Sequence, residues 1–161
     1  MPTLENGGAQ VIGIEVRTGD QVVDAEGRLL MLEAGVQVRP AGCRSDDCVI
    51  AYDGASEIEM DQMVVDFHMR PDLTWSDGTP LTAEDSVYGF ALAVLNDENS
   101  YLVSRTQTYE ATDTQTVQWW GKPGFVDAAY MTNFWSPAPR HSWSRFSDED
   151  LPSVDIASIK P

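Results

Sequence analysis

The run Phe67-His-Met-Arg-Pro-Asp-Leu-Thr-Trp-Ser-Asp-Gly-Thr-Pro-Leu-Thr-Ala-Glu-Asp-Ser-Val-Tyr-Gly-Phe90 leaves few folding options open. It spells a strand, a tight turn and a capped helix. The strand begins upstream and spans 57–69, with Met63, Val65, Phe67 and Met69 on one face by period-two alternation. Ile58 and Met60 have the opposite phase, which predicts a bulge near Asp61-Gln62. Pro71 has no N–H to donate and ends ladder pairing. Trp75-Ser76-Asp77-Gly78 is a turn, with Gly78 taking the positive φ that other residues avoid. Thr82 is the predicted N-cap, and Asp85 holds the capping-box position usually given to Glu or Gln. Glu84 and Asp85 also suit the positive helix start. Val87, Phe90, Ala91 and Val94 then form one apolar stripe, and Asn96-Asp97-Glu98-Asn99 ends the helix.

Elsewhere the pattern is of short elements. Residues 10–17 read as a strand with Ile12, Ile14 and Val16 on one face, and 21–24 as a short strand after a turn. Leu29–Leu32, Gly35–Arg39 and Val49–Tyr52 are short apolar runs among irregular loops. Residues 101–109 fit a second short helix or extended chain equally. Thr116–Trp120 is a strand by composition, and Gly121–Gly124 a turn. Val126, Tyr130 and Phe134 lie four apart, which predicts a helix over 127–134. Further short helices are expected at 140–146 and, capped by Ser147, near 148–151. The tail 152–161 has no periodicity, and no repeat or low-complexity segment occurs.

The 161 residues suffice for one domain with a real core, and 42% hydrophobic residues is not a disordered composition. A net charge of −16, with ten scattered basic residues, argues against nucleic acid and anionic membrane surfaces. No run approaches the roughly 20 apolar residues of a membrane helix. The first eight residues have neither a basic stretch nor an apolar one, so they do not read as a signal peptide. Cys43 and Cys48, the only cysteines, enclose four polar residues. A disulfide closing that loop is the expected state, against two free thiols or half a zinc site. His68 and His141 are isolated and supply no paired zinc ligands.

Candidate chemistry is thin. Asp46/Asp47, Glu84/Asp85 and Asp148/Glu149/Asp150 are carboxylate pairs or runs, but neighbours on a helix point to different sides. Capping and solvation account for them. His68 lies on the strand face opposite Phe67 and Met69 and reads as a hydrogen-bonded surface group. There is no Gly-x-Ser-x-Gly elbow and no glycine-rich phosphate loop. No catalytic residue, cofactor or metal site is assigned. Trp75, Trp119, Trp120, Trp135 and Trp143 serve either a core or a ligand surface. Trp119 and Trp120 are adjacent on a strand and face opposite sides, which places one of them off the core.

The 67–90 run closely resembles the signature of family 5 extracellular solute-binding proteins, the dipeptide-, oligopeptide- and nickel-binding components of ABC importers. That signature is a strand ending in Arg, a Trp-Ser-Asp-Gly-Thr-Pro turn and a helix opened by Thr-Ala-x-Asp, all present here. Val117-Gln-Trp119 is similar to the family's following strand, and Pro139-Arg140-His141-Ser142-Trp143 to its Pro-Lys-His-x-Trp helix. The matches run over about 57–151; the segment holding Cys43 and Cys48 departs from the family pattern. Family members are several times longer, and their Gly-x-Gly-Pro-Tyr segment is absent here.

The resemblance implies an excised small lobe of a type II periplasmic-binding-protein architecture, 1–161 forming one domain. The expected fold is α+β: a mixed, mainly antiparallel sheet, one well-defined helix at about 82–95, and smaller helices after 126. The implied function is non-enzymatic: capture of a peptide or related small solute by lobe closure, and delivery to an ABC permease. The implied location is extracellular or periplasmic, with a signal peptide or lipid anchor outside this chain. Most ligand contacts in such proteins come from two larger lobes, so no ligand-contact residue is carried over. The alternatives are a self-contained secreted acidic binding or adhesion module, with calcium as its candidate ion, and, last, a hydrolase domain.

Overall fold

One strand organises the molecule because its two faces are both apolar. In the computed structural model, which describes residues 1–143, strand β6 (Ile58–His68) lies between β1 (Ala9–Val16) and β8 (Thr116–Gly121). With β7 (Thr106–Ala111) at the far edge, these strands form a sheet of order β1-β6-β8-β7, every pair antiparallel. The result is the mixed α+β architecture with an antiparallel sheet and few helices that the sequence predicts.

Ala9, Val11, Met63, Val65, Phe67, Tyr109, Val117 and Trp119 point to one face and build the main core. Ile14, Val16, Ile58 and Met60 point to the other, where they meet Val22, Leu32, Val38 and Tyr52 in a second core. Four short strands in two pairs cover that second core: the hairpin β2 (Gln21–Val23) with β3 (Leu29–Met31), and the pair β4 (Gln37–Val38) with β5 (Ile50–Ala51). The bulge expected at Asp61-Gln62 is therefore absent. β1 and β6 pair without a break from Ala9↔Val65 to Val16↔Ile58, and the phase change marks a handover between two cores. A register shift does occur elsewhere, in β7 between Thr106 and Thr108.

Helix α1 (Ala83–Asn96) covers the main core. Its deepest residues are in the first turn: Ala83, Asp85 and Ser86 are buried. Val87 and Phe90 pack on the core, but Ala91 is exposed, so the expected stripe is shifted toward the N-terminus. The cause is anchoring. Ala83 N–H donates to the Thr114 carbonyl at 3.0 Å, which pins the helix start to the turn between β7 and β8.

Residues 101–111 resolve the earlier ambiguity by being both things: α2 (Tyr101–Arg105) runs straight into β7. The helix expected over 127–134 is reduced to one 3₁₀ turn, Tyr130–Thr132. Asp127 takes the Ala129 N–H at 2.8 Å and the Asn133 amide at 3.0 Å, and this side-chain turn competes with helix propagation. A final short helix, α3, covers Arg140–Trp143. The rest of the 140–146 helix, the turn at 147–151 and the tail 152–161 lie outside the described residues.

Candidate functional site

Asp85 joins the two stretches that carry the sequence signature. Its side chain is packed at the start of α1, 6% exposed. Oδ2 accepts the Thr82 N–H at 2.9 Å, closing the capping box, and the Trp75 indole N–H at 3.3 Å. Oδ1 accepts the Arg140 N–H at 3.2 Å, and the Asp85 carbonyl accepts the Ala138 N–H at 3.0 Å. One carboxylate thus satisfies donors from the turn, the helix start and the 138–140 segment.

The surrounding ion pairs repeat the connection. Asp77 of the turn lies 2.8 Å from His141 Nε2, and Glu84 lies 3.0 Å from the Arg140 guanidinium. Backbone donation from Thr79 is the main force holding the Asp77 carboxyl below its ordinary value. The turn itself is a tight hairpin in which Gly78, at φ +86°, returns the chain so that Trp75 N–H reaches the Thr79 carbonyl at 2.8 Å. A shallow hollow forms here, but its acidic groups are engaged by backbone, arginine and histidine. The arrangement is built to hold segments together.

A second junction ties α1 to the loop before α3. Ser86 Oγ donates to the Trp135 carbonyl at 2.6 Å and sits 2.7 Å from Tyr109 OH, which in turn accepts the Trp135 N–H at 3.1 Å. Phe90, Tyr109 and Trp135 form a triangle with ring centroids 4.6–5.2 Å apart. Burial pushes the Tyr109 phenol up from its ordinary pKa, so it stays neutral in this contact.

The tryptophans fall into distinct roles. Trp119 is fully buried and donates to Thr106 Oγ1 at 2.9 Å. Trp120 lies half-buried on the opposite sheet face, as adjacency on a strand requires, and donates to Gln118 at 2.7 Å. Trp75 and Trp135 belong to the two junctions, and Trp143 sits half-buried in α3.

None of the five lines a cleft of about 810 Å³ beside the end of β6. Phe67, Met69, Leu73, Leu81, Met131 and Phe134 supply its apolar wall. Asn6, Asp66 and His68 supply polar groups at its margin. His68 is exposed and its Nδ1 lies 3.0 Å from Thr116 Oγ1, the surface hydrogen bond expected of it. The sequence signature flanks this cleft without announcing it, because Met131 and Phe134 arrive from a segment whose helical spacing is not realised beyond the turn Tyr130–Thr132.

Cys43 and Cys48 are bonded to each other, with Cα atoms 5.7 Å apart. Their loop is docked at two points. Arg44 pairs with Asp61 of β6, and Arg39 reaches Asp46 at 2.7 Å. Among the described residues, no three His, Cys, Asp or Glu side chains are grouped to hold a metal ion. No described helix is long and apolar enough to cross a membrane.

Residues 50–154 match the family described as "Bacterial extracellular solute-binding proteins, family 5 Middle". No curated protein matches the chain. Among solved structures, an oligopeptide binding protein from Thermus thermophilus, complexed with a pentapeptide, is similar at 18% identity and a TM-score of 0.40. That match takes in 91% of this chain and 23% of the other, so the chain spans under a quarter of the structure it resembles.

Proposed function

Because the chain belongs to family 5 of the bacterial extracellular solute-binding proteins, we propose that it is one lobe of the ligand-capturing component of an ABC importer for peptides or related small solutes. The family match over 50–154 carries this reading. Within it, the turn, the capped helix and the start of α3 converge on Asp85. That convergence supports an architectural role for the signature. Asp77, Glu84 and Asp85 are each held by a partner within the chain, which supports the same architectural role.

In this reading the lobe is a single rigid body working with larger lobes. Ligand capture is hinge closure, and the ligand shifts the equilibrium only by as much as it binds the closed form better than the open one. The full protein acts outside the cytoplasmic membrane and delivers its cargo to the permease. Energy for transport comes from the permease complex.

The test uses the full-length gene product. It is titrated with a pool of di- to pentapeptides, with binding read by native mass spectrometry and thermal melting. A peptide at about 100 times its Kd should add about 2.7 kcal/mol to stability. A protein whose melting temperature no peptide or other small solute raises is not a solute-binding component. Among the described residues, no group of three carboxylates forms the ion site that the calcium-bound module would need.

A further inference from the structure

The chain has four asparagines, and the peptide nitrogen that follows each one meets different surroundings. Asp97 N–H, after Asn96, donates to the Ala93 carbonyl at 3.0 Å. Ser100 N–H, after Asn99, donates to the Asp97 carbonyl at 3.2 Å. Asn133 is 1% exposed, and its amide is held by Asp127 at 3.0 Å. Asn6 is exposed, and the Gly7 N–H that follows it has no bonding partner among the described residues. Gly7 has no side chain to shield that nitrogen, and a Cβ placed there would meet nothing within 4 Å.

The Asn6 side chain is folded back over the same peptide. Its Oδ1 accepts the Gly8 N–H, two residues on, at 2.9 Å, and the Thr3 N–H at 2.9 Å. Fixed donors stabilise charge as it develops on the atom they face, so this oxygen is prepared for attack on its carbon, Cγ. The two Asp-Gly steps lack the combination. N–H donation from Ser56 and Ala55 holds the Asp53 carboxyl below its ordinary value, and donation from Thr79 does the same for Asp77. Both stay ionised and resist a nucleophile. Gly78 N–H is also bonded, to the Trp75 carbonyl at 2.9 Å.

The same side chain holds the N-terminal segment against the cleft. Asn6 Nδ2 donates to the Met1 carbonyl at 3.1 Å, and Met1 and Pro2 line the cleft beside Phe67, Leu73 and Met131. Thr3 is tied to the start of β1, because its carbonyl accepts the Ala9 N–H at 3.1 Å. Exchanging Nδ2 for an oxygen would set one acceptor against another at Met1 and remove the tether.

We propose that Asn6 is a self-modifying site: Gly7 N attacks Asn6 Cγ, and loss of the amide releases Met1 and Pro2 from the cleft. Hydroxide takes the Gly7 N–H proton as the N–Cγ bond forms. The Cγ–Nδ2 bond then breaks, and Nδ2 gains a proton from water and leaves as ammonia. Water opens the cyclic imide at either carbonyl. One opening gives aspartate at position 6, and the other gives isoaspartate, which lengthens the main chain by a methylene. No oxidant or reductant takes part. Both products have a carboxylate and no amide donor, so the bond to Met1 is lost in each.

The test incubates the intact 161-residue chain, with Met1 confirmed by mass, in warm, mildly alkaline buffer. Peptide mapping by tandem mass spectrometry follows each asparagine. Asn6 converts to a mixture of aspartate and isoaspartate while Asn96, Asn99 and Asn133 stay intact, and its rate rises in step with hydroxide. Amide exchange reads the consequence. Ala9 N–H exchanges about tenfold faster in the aged chain and in Asn6→Asp than in the fresh chain, as loss of a tethering hydrogen bond requires. An Asn6 that survives as long as the other three asparagines overturns the site. Ala9 exchange unchanged in both the aged chain and Asn6→Asp overturns the release of the segment.

Discussion

Replacing Gly89 by alanine sets two forces against each other. Gly89 lies in the middle of α1, where alanine is favoured over glycine by about 1 kcal/mol. The backbone of the facing loop opposes the change. A Cβ at position 89 would stand 2.2 Å from the Ser136 carbonyl oxygen and 3.3 Å from its carbon. To restore an ordinary contact of 3.4 Å, the loop must retreat by roughly 1.2 Å. It is not free to do so. Trp135 is held on both sides by Ser86 and Tyr109, and Ala138 N–H is bonded to the Asp85 carbonyl. Overpacking of this kind costs about 1–3 kcal/mol, and contact with tethered backbone puts it toward the upper end. The net expectation is destabilisation by about 1–2 kcal/mol, or a melting temperature lower by about 2–8 °C. Urea unfolding followed by tryptophan fluorescence measures it, with Ala91→Gly on the exposed face of the same helix as a control. The control should lose about 1 kcal/mol from propensity alone. A Gly89→Ala protein more stable than the parent would show that the loop yields freely and that the two junctions do not fix it.

Three further outcomes follow from the geometry. Asp85→Ala removes a buried acceptor of several donors and should cost about 3 kcal/mol in urea unfolding, with Asp85→Asn costing about half because one oxygen remains; a loss below about 0.5 kcal/mol would deny Asp85 its joining role. Unreduced, denatured protein should show no titratable thiol, and Cys43→Ser with Cys48→Ser should lose about 2 kcal/mol for so short a loop; two free thiols would refute the bond. Burial pushes the Asp24 carboxyl up, but N–H donation from Arg28 and Glu26 and the Arg28 guanidinium outweigh it, leaving the pKa below its ordinary value. A depressed folded pKa contributes stability above the unfolded value near 3.9, and the contribution is lost as pH falls through the folded one. Asp24→Asn should thus be less stable than the parent at pH 7, with the gap closing below about pH 4; a gap that persists in acid would assign the loss to shape, not charge.

The legible parts of the fold are those whose causes are local. Thr82 and Asp85 cap a helix through bonds spanning three residues, and Gly78 turns a hairpin through its own φ. The strand over 57–69 was legible for the same reason. What local reading misses is the second face of a strand. Ile58 and Met60 looked out of phase only because a single core was assumed. The failed helix at 127–134 has a different cause. Its spacing of Val126, Tyr130 and Phe134 is helical, but Val126 is 42% exposed and Phe134 is drawn onto Phe67, 5.5 Å away. Tertiary contacts and the Asp127 turn overrode the period. The cleft was hidden because its wall is assembled from strand, hairpin and loop.

The double-faced pairing of β1 with β6 also bears on how faithfully this chain finds its alignment. Sliding one strand past the other by a single residue turns every side chain to the wrong side. In an ordinary two-layer protein that error empties one core onto a solvated face. Here a slip of β1 would move Ala9 and Val11 out of one apolar layer and Ile14 and Val16 out of the other at the same moment. Neither layer can be rescued at the other's expense. The long ladder therefore carries its own proofreading, and misaligned forms of this pair should be rare even though β1 is an edge strand of the sheet among the described residues.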